Sequence, residues 1–140
     1  MGKINLKGVI IGGLVAGVVL NIVDFLLFGV VLRDEMAAIM QAMGKPPVSS
    51  SMMIWFTFLD FLVGIFLVWV YAAIRPRFGA GPGTAIKAGL LVWVVAGLFH
   101  ALFEASMTMM PQNVLIMVTV VGLVQQPLAT VVGAKFYTEM

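Results

Sequence analysis

The chain has 140 residues, of which 62% are hydrophobic and only 10% are charged, and its mean hydropathy is +1.13. Soluble domains carry charge on roughly a quarter of their residues, so this composition excludes an ordinary soluble domain and indicates a single-domain integral membrane protein. The absence of cysteine excludes disulfides and thiolate chemistry, and the net charge of +2 comes from basic residues placed singly near helix ends, which argues against nucleic-acid binding.

Four apolar segments are long enough to cross the hydrocarbon core of a bilayer, which takes about 20 helical residues. In chain order they are residues 9–32, 52–74, 88–110 and 114–134. The first follows Lys3 and Lys7 as a signal peptide would, but it is too long for one, so we expect a retained helix. Only the tripeptide Pro-Gln-Asn separates the third and fourth spans. The predicted fold is all-α, an antiparallel four-helix transmembrane bundle.

The loop between the first two spans contains a short amphipathic segment, predicted as a helix over residues 34–43. Met36, Met40 and Met43 recur at three- and four-residue spacing and form an apolar face, while the opposite face is acidic and polar. Gly44 and the prolines that follow it end the helix. We therefore expect an interfacial helix that lies on the outer surface of the bilayer.

Lysine and arginine are distributed unequally between the two ends of the predicted bundle. The end with fewer basic residues carries Arg33 and Lys45. The richer end carries Lys3, Lys7, Arg75, Arg77, Lys87 and Lys135. Because basic residues concentrate on the cytoplasmic side of membrane proteins, this distribution predicts that both termini are cytoplasmic.

Four ionisable side chains fall within the predicted spans. Counted from the outer end of each span at 1.5 Å per residue, Asp24 and Asp60 lie roughly 12 Å inside. By the same count His100 lies roughly 15 Å inside and Glu104 roughly 9 Å. Each belongs to a stripe of small or polar residues, and small residues favour close helix approach. We therefore expect the four side chains to face one another in the bundle interior.

Charge decides what such a cluster can be. Each charged group near the bilayer centre costs roughly 2.5 to 3.5 kcal/mol, and no lysine or arginine lies at that depth to neutralise the three carboxylates. Two outcomes stay open: the four groups share protons in a hydrogen-bonded network, or a cation supplies the missing positive charge. The polar residues predicted to support this network are Asn21, Thr57, Thr119, Gln125 and Gln126.

A metal is one form that the cation could take. His100 and Glu104 lie four residues apart on one helical face, and with Asp24 and Asp60 they offer nitrogen and oxygen ligands suited to zinc, manganese or iron. The spacing matches no established metalloenzyme motif. Methionines concentrated toward the outer side also suggest Cu(I), although their role as adaptable apolar fillers is the stronger interpretation. Divalent metal and Cu(I) are both kept as cofactor hypotheses beside a purely structural network.

Gln125 and Gln126 precede Pro127 near the centre of the fourth span. Proline lacks an amide hydrogen and leaves the carbonyl of Leu123 without its helical partner, so we expect a kink there. The amide side chains then either line a cavity or, in the simpler interpretation, let Gln126 bond across to Asn21.

Three segments of the chain resemble small four-span bacterial membrane proteins of no known activity. They are GLVAGVVLNIVDFLLFGVVL, LVWVYAAIRPRFGAGPGTAIKAGLLVW and GLVQQPLATVVGAKFY. Similar sequences carry an acid at the position of Asp24 and a polar residue just before Pro127, whereas His100 and Glu104 belong to no shared pattern. The resemblance implies a four-span fold in the bacterial inner membrane and supplies no activity.

Three functions are consistent with the sequence. The first is a non-enzymatic subunit of a larger membrane complex, or a homo-oligomer, in which the buried Asp, Asp, His and Glu residues specify helix packing. The second is a small proton- or cation-coupled transporter or channel, suggested by ionisable groups at one depth. The third is a metal-dependent membrane enzyme, for which no substrate-shaped signature is present.

Overall fold

Helices account for nearly all of the regular structure in a computed structural model that describes residues 2–140. The six α-helices are α1 (Leu6–Leu26), α2 (Arg33–Ala42), α3 (Ser50–Phe78), α4 (Pro82–Trp93), α5 (His100–Met107) and α6 (Gln112–Ala134). Two π-helical segments extend them: Leu27–Val31 continues α1, and Val94–Phe99 joins α4 to α5. No strand occurs among the described residues. The prediction of an all-α chain is confirmed.

Four helical segments are long and apolar enough to cross a membrane, as predicted. They run over Leu6–Val31, Ser50–Phe78, Pro82–Met107 and Gln112–Ala134. Their outward faces expose large apolar side chains, as contact with lipid requires. Such a surface would aggregate in water, so the bilayer is the environment that it suits.

The third span begins and ends earlier than the range 88–110 predicted from composition. It begins at Pro82, whose fixed backbone suits the first helical turn. It ends at Met107 because Thr108 adopts a left-handed conformation with φ of 53° and cannot continue the helix. Apolar residues therefore extend beyond the helix into the connection that leads to α6.

The helix α2 begins one residue earlier than predicted and ends in a Schellman motif. Gly44 has a positive φ of 66°, and its amide donates to the Gln41 carbonyl at 3.0 Å while the Lys45 amide donates to the Met40 carbonyl at 2.9 Å. The buried residue of α2 is Ile39, not one of the three methionines predicted to form its apolar face. Met43 stays exposed because it lies at the C-cap, beyond the last turn.

Glycines allow the spans to pack backbone against backbone. On α1, Gly13 and Gly17 lie against α3, and a Cβ on Gly64 of α3 would come within 2.5 Å of the Gly17 amide nitrogen. Gly12 meets Gly133 of α6 in the same way: a Cβ on Gly12 would lie 2.5 Å from the Gly133 carbonyl oxygen. Three of the four spans therefore approach one another too closely for any side chain at these positions.

The fourth span, α6, contacts each of the other three spans, as α3 also does. α6 packs against α1, α3 and α4. Gly89 of α4 lies directly on Pro127, where an added Cβ would be 2.5 Å from the proline Cα. α3 and α6 together therefore hold the four spans in contact.

Both chain ends and the turn between α3 and α4 meet at one end of the bundle, called here the terminal end. The Asn5 amide donates to the Tyr137 hydroxyl at 3.3 Å, and the ring of Tyr137 lies edge-on to that of Tyr71 with centroids 6.0 Å apart. Tyr71 in turn accepts the Gly81 amide at 3.2 Å. The opposite end, called here the loop end, is closed by a separate apolar cluster of Leu27, Leu32, Ile39 and Val114.

The close approach of α1 and α3 predicts the effect of a single added methyl group. Gly64→Ala places a Cβ against the backbone of α1, which a side-chain adjustment cannot relieve, so we expect a loss of about 1–3 kcal/mol in unfolding free energy. Reversible unfolding in mixed detergent micelles measures this loss. Gly83→Ala is the matched control, because nothing lies within 4 Å of its Cβ position. Equal stability of the two variants would contradict the packing described.

Candidate functional site

Asp24 is held in place by an amide from a different span. It lies in the last turn of α1 and is half-buried. Gln125 of α6, only 8% exposed, donates from Nε2 to the Asp24 carboxyl oxygen at 2.7 Å and to the Leu20 carbonyl at 3.2 Å. A single buried amide therefore satisfies both a carboxyl group and a backbone carbonyl of α1.

Asp60 provides the second carboxyl group of the site. It projects from α3, is half-buried, and its carboxyl group lies within hydrogen-bonding reach of that of Asp24. Neither carboxylate can donate when both are ionised, so a hydrogen bond between them requires a proton on one of the two. The structure thus brings together two of the four predicted ionisable residues as a carboxyl pair.

A cavity of about 460 Å³ adjoins this pair near the loop end. Asp24 lines it from α1, and His100 and Glu104 line it from α5. Glu104 is half-buried and His100 is exposed. Asp60 is not part of the lining among the described residues, so Asp24 is the member of the pair that the cavity reaches.

The cavity exists because the third span separates from the bundle at the loop end. α4 packs closely against α3 and α6, whereas α5 contacts mainly the preceding π segment and α6. Both π segments border the cavity, through Phe28 in the first and through Ala96 and Gly97 in the second. A π turn widens the helix and shifts the faces that follow, and such turns are frequent at functional sites. Nothing in the sequence pattern indicated them.

Trp93 forms one wall of the cavity in a fixed orientation. Its indole Nε1 donates to the Thr119 carbonyl at 2.9 Å, while the Thr119 hydroxyl donates to the Leu115 carbonyl at 2.7 Å. The ring lies over Gly97 and Gly122, where an added Cβ would be 2.7 Å and 3.3 Å from its Cδ1. Two glycines therefore provide the room that the indole occupies.

The two glutamines that precede Pro127 have different roles. Gln125 makes the cross-helix bonds, and Gln126 lines the cavity with its Oε1 buried and without a hydrogen-bond partner among the described residues. Asn21 is not bonded to Gln126: its Nδ2 donates to the Gly17 carbonyl at 2.9 Å and to the Thr57 carbonyl at 3.4 Å. Asn21 therefore connects α1 to α3 rather than to α6.

The residues predicted as metal ligands are divided between two places. Within residues 2–140, no three His, Asp or Glu side chains are grouped so that they could hold a metal ion. Asp24 and Asp60 form the carboxyl pair, and His100 and Glu104 line the cavity from α5. Of the methionines considered for Cu(I), three line the cavity: Met43, Met109 and Met110. Lys45, which sequence reasoning assigned to topology alone, also lines it.

Comparison with known proteins adds no family to this description. No family model, curated protein or solved structure matches the chain. The fold and the site define an all-helical protein with four candidate membrane spans and a cavity lined in part by carboxyl and amide side chains. Function must therefore be argued from the cavity itself.

The adjacent glutamines allow a sharp test of the site. Gln125→Leu removes the donor to the Asp24 carboxyl and to the Leu20 carbonyl, so we expect a loss of about 1–3 kcal/mol in unfolding free energy. Gln126→Leu removes only an unpaired acceptor, and we expect unchanged or higher stability. Unfolding in detergent micelles measures both variants. The opposite order of stabilities would show that the two amides had been assigned the wrong roles.

Proposed function

We propose that the protein is a non-enzymatic, multi-pass membrane protein that moves protons or a small cation by way of the loop-end cavity. The observation that carries this proposal is the position of Asp24, which lines the cavity while contacting both Gln125 and Asp60. Ionisable groups inside membrane spans are rare and usually mark ion or proton pathways. A carboxyl pair open to a cavity on one side has the chemistry of such a pathway.

The cavity extends from the loop end, where Lys45 lines it, to Asp24 of the carboxyl pair. Its volume of about 460 Å³ has room for a chain of waters. Glu104, His100 and Asp24 all line this volume, so a water chain between them would relay protons. Asp60 on α3 lies within hydrogen-bonding reach of Asp24 and would be the next proton acceptor.

We also propose that the four spans form an antiparallel bundle with α2 lying in the outer interface. The contacts of Asn5 with Tyr137 and of Tyr71 with Gly81 support this arrangement, because they place both termini and the α3–α4 turn together. The burial of Ile39 against Leu32 and Val114 supports α2 as a cap on the loop end. Exposed acidic residues in its first turn suit a surface that faces water.

The distribution of basic residues supports a location in the inner membrane with both termini in the cytoplasm. Arg75 and Arg77 lie in the last turn of α3, at the terminal end, and Lys3, Lys7 and Lys135 adjoin it along the chain. Lys45 lies at the loop end beside the cavity. The proposal therefore places the cavity on the non-cytoplasmic side.

The absence of native cysteine makes this orientation directly measurable. We expect Lys45→Cys to react with a membrane-impermeant maleimide added to intact bacterial spheroplasts. Lys135→Cys, at the terminal end, should react only after the membrane is permeabilised. Both side chains are exposed, so a difference in labelling reports sidedness rather than burial. The reverse pattern would overturn the orientation.

Transport is tested in proteoliposomes with a pH-sensitive dye, and in parallel with an imposed sodium gradient. We expect the wild-type protein to dissipate at least one of the two gradients and Asp24→Asn or Asp60→Asn to slow that dissipation at least tenfold. Asp34→Asn is the control, because Asp34 is an exposed residue of α2 outside the spans. Dissipation no faster than in empty liposomes, or unaffected by either substitution, would contradict the proposal.

Assembly with itself or with a larger membrane protein stays a prediction beside this function. So does the metal-dependent enzyme, which the described grouping of His, Asp and Glu residues does not favour. The mass of the detergent-solubilised protein by light scattering tests the first, and elemental analysis of protein purified without chelator tests the second.

A further inference from the structure

We infer that the loop-end cavity binds a small organic cation, an ammonium or guanidinium group carried on an apolar body. This inference deepens the proposed function by naming its ligand class. The size of the cavity is the first argument: 460 Å³ is within the range of small-molecule sites and far exceeds the space that a bare metal ion occupies.

Two of the polar side chains that line the cavity have N–H donors that are already engaged in hydrogen bonds. Gln125 already donates from Nε2 to Asp24 and Leu20, and Trp93 already donates from Nε1 to Thr119. The buried Oε1 of Gln126 is an acceptor with no partner among the described residues. A buried acceptor of this kind costs free energy unless a donor reaches it, and Gln126 lines the cavity, so a ligand N–H group that reached this oxygen would remove that cost.

The charged and aromatic residues in the lining narrow the class of ligand further. Asp24 and Glu104 both line the cavity, and exposed Lys45 is the one lysine or arginine in the lining among the described residues. The indole ring of Trp93 also lines the cavity and is held by its hydrogen bond to Thr119, and an aromatic face attracts a desolvated organic cation. An ammonium or guanidinium group would therefore meet carboxyl, amide and aromatic partners together.

The remaining lining is apolar and explains why a simple inorganic cation fits less well. Phe28, Ile39, Met43, Met109 and Met110 provide hydrophobic and flexible surface toward the loop end. Metal ions would instead require several converging ligands, and within residues 2–140 no three His, Asp or Glu side chains converge. A cation with an apolar body uses both parts of the lining.

Binding is tested with the full chain in lipid nanodiscs, using benzylammonium as the probe and benzyl alcohol as its neutral counterpart. Substituting Trp55→Phe and Trp69→Phe leaves Trp93 as the single tryptophan and makes its fluorescence a local reporter. We expect a saturable fluorescence change with benzylammonium and at least tenfold weaker binding of benzyl alcohol. Calorimetry on the wild-type protein gives the stoichiometry independently of the substitutions.

Two variants connect the signal to the cavity. Glu104→Gln removes a carboxylate, and Gln126→Leu removes the unpaired acceptor in a variant that we expect to fold normally. Each should weaken benzylammonium binding at least tenfold, while Asp34→Asn should leave it unchanged. Equal affinity for the alcohol, no saturable binding, or preferred one-to-one binding of zinc would overturn the inference.

The binding experiment and the transport experiment can succeed or fail independently of each other. Gradient dissipation without benzylammonium binding would retain the proposed function and reject the ligand class. Benzylammonium binding without dissipation of either gradient would retain the site and reject transport of protons or sodium.

Discussion

A carboxyl group inside a membrane span must find partners, and the fold of this chain provides them to Asp24 from two directions. Gln125 supplies a hydrogen-bond donor from α6, and Asp60 supplies a second carboxyl group from α3. Without these partners the carboxyl group would face the cost of several kcal/mol that burial of an unpaired polar group carries. The contacts of one side chain thus link three helices, α1, α3 and α6.

The cavity follows from a second constraint: the two halves of the third span, α4 and α5, pack differently against the other helices. α4 is bound tightly to α6 through Gly89 and Pro127, whereas α5 follows a π segment and separates from α1. The space between them is not a packing defect, because Trp93 is fixed along its wall by a hydrogen bond and by two glycines. Close packing of α4 against α6 therefore leaves the cavity open beside α5.

Much of this could be predicted from the sequence, since hydropathy over some 20 residues decides which segments cross a bilayer. The inward position of Asp24 was also predictable, from the small-residue stripe on its helix. The π segments could not be found, because spans that are apolar on nearly every face carry too little hydrophobic periodicity to reveal the shift that an inserted residue causes. One of them directly precedes His100 and Glu104 along the chain. The sequence also could not decide which of Gln125 and Gln126 bonds to α1. Adjacent residues differ by about 100° around a helix, and a kink shifts that angle.

The glycine contacts also determine where the bundle can change shape. Gly12 on Gly133 and Gly89 on Pro127 join main chain to main chain in the terminal half, with no side chain between them that could adopt another rotamer. That half therefore has a width that side-chain rearrangement cannot change. Any widening of the bundle must take place in the opposite half, where α5 packs against fewer elements than α4 does.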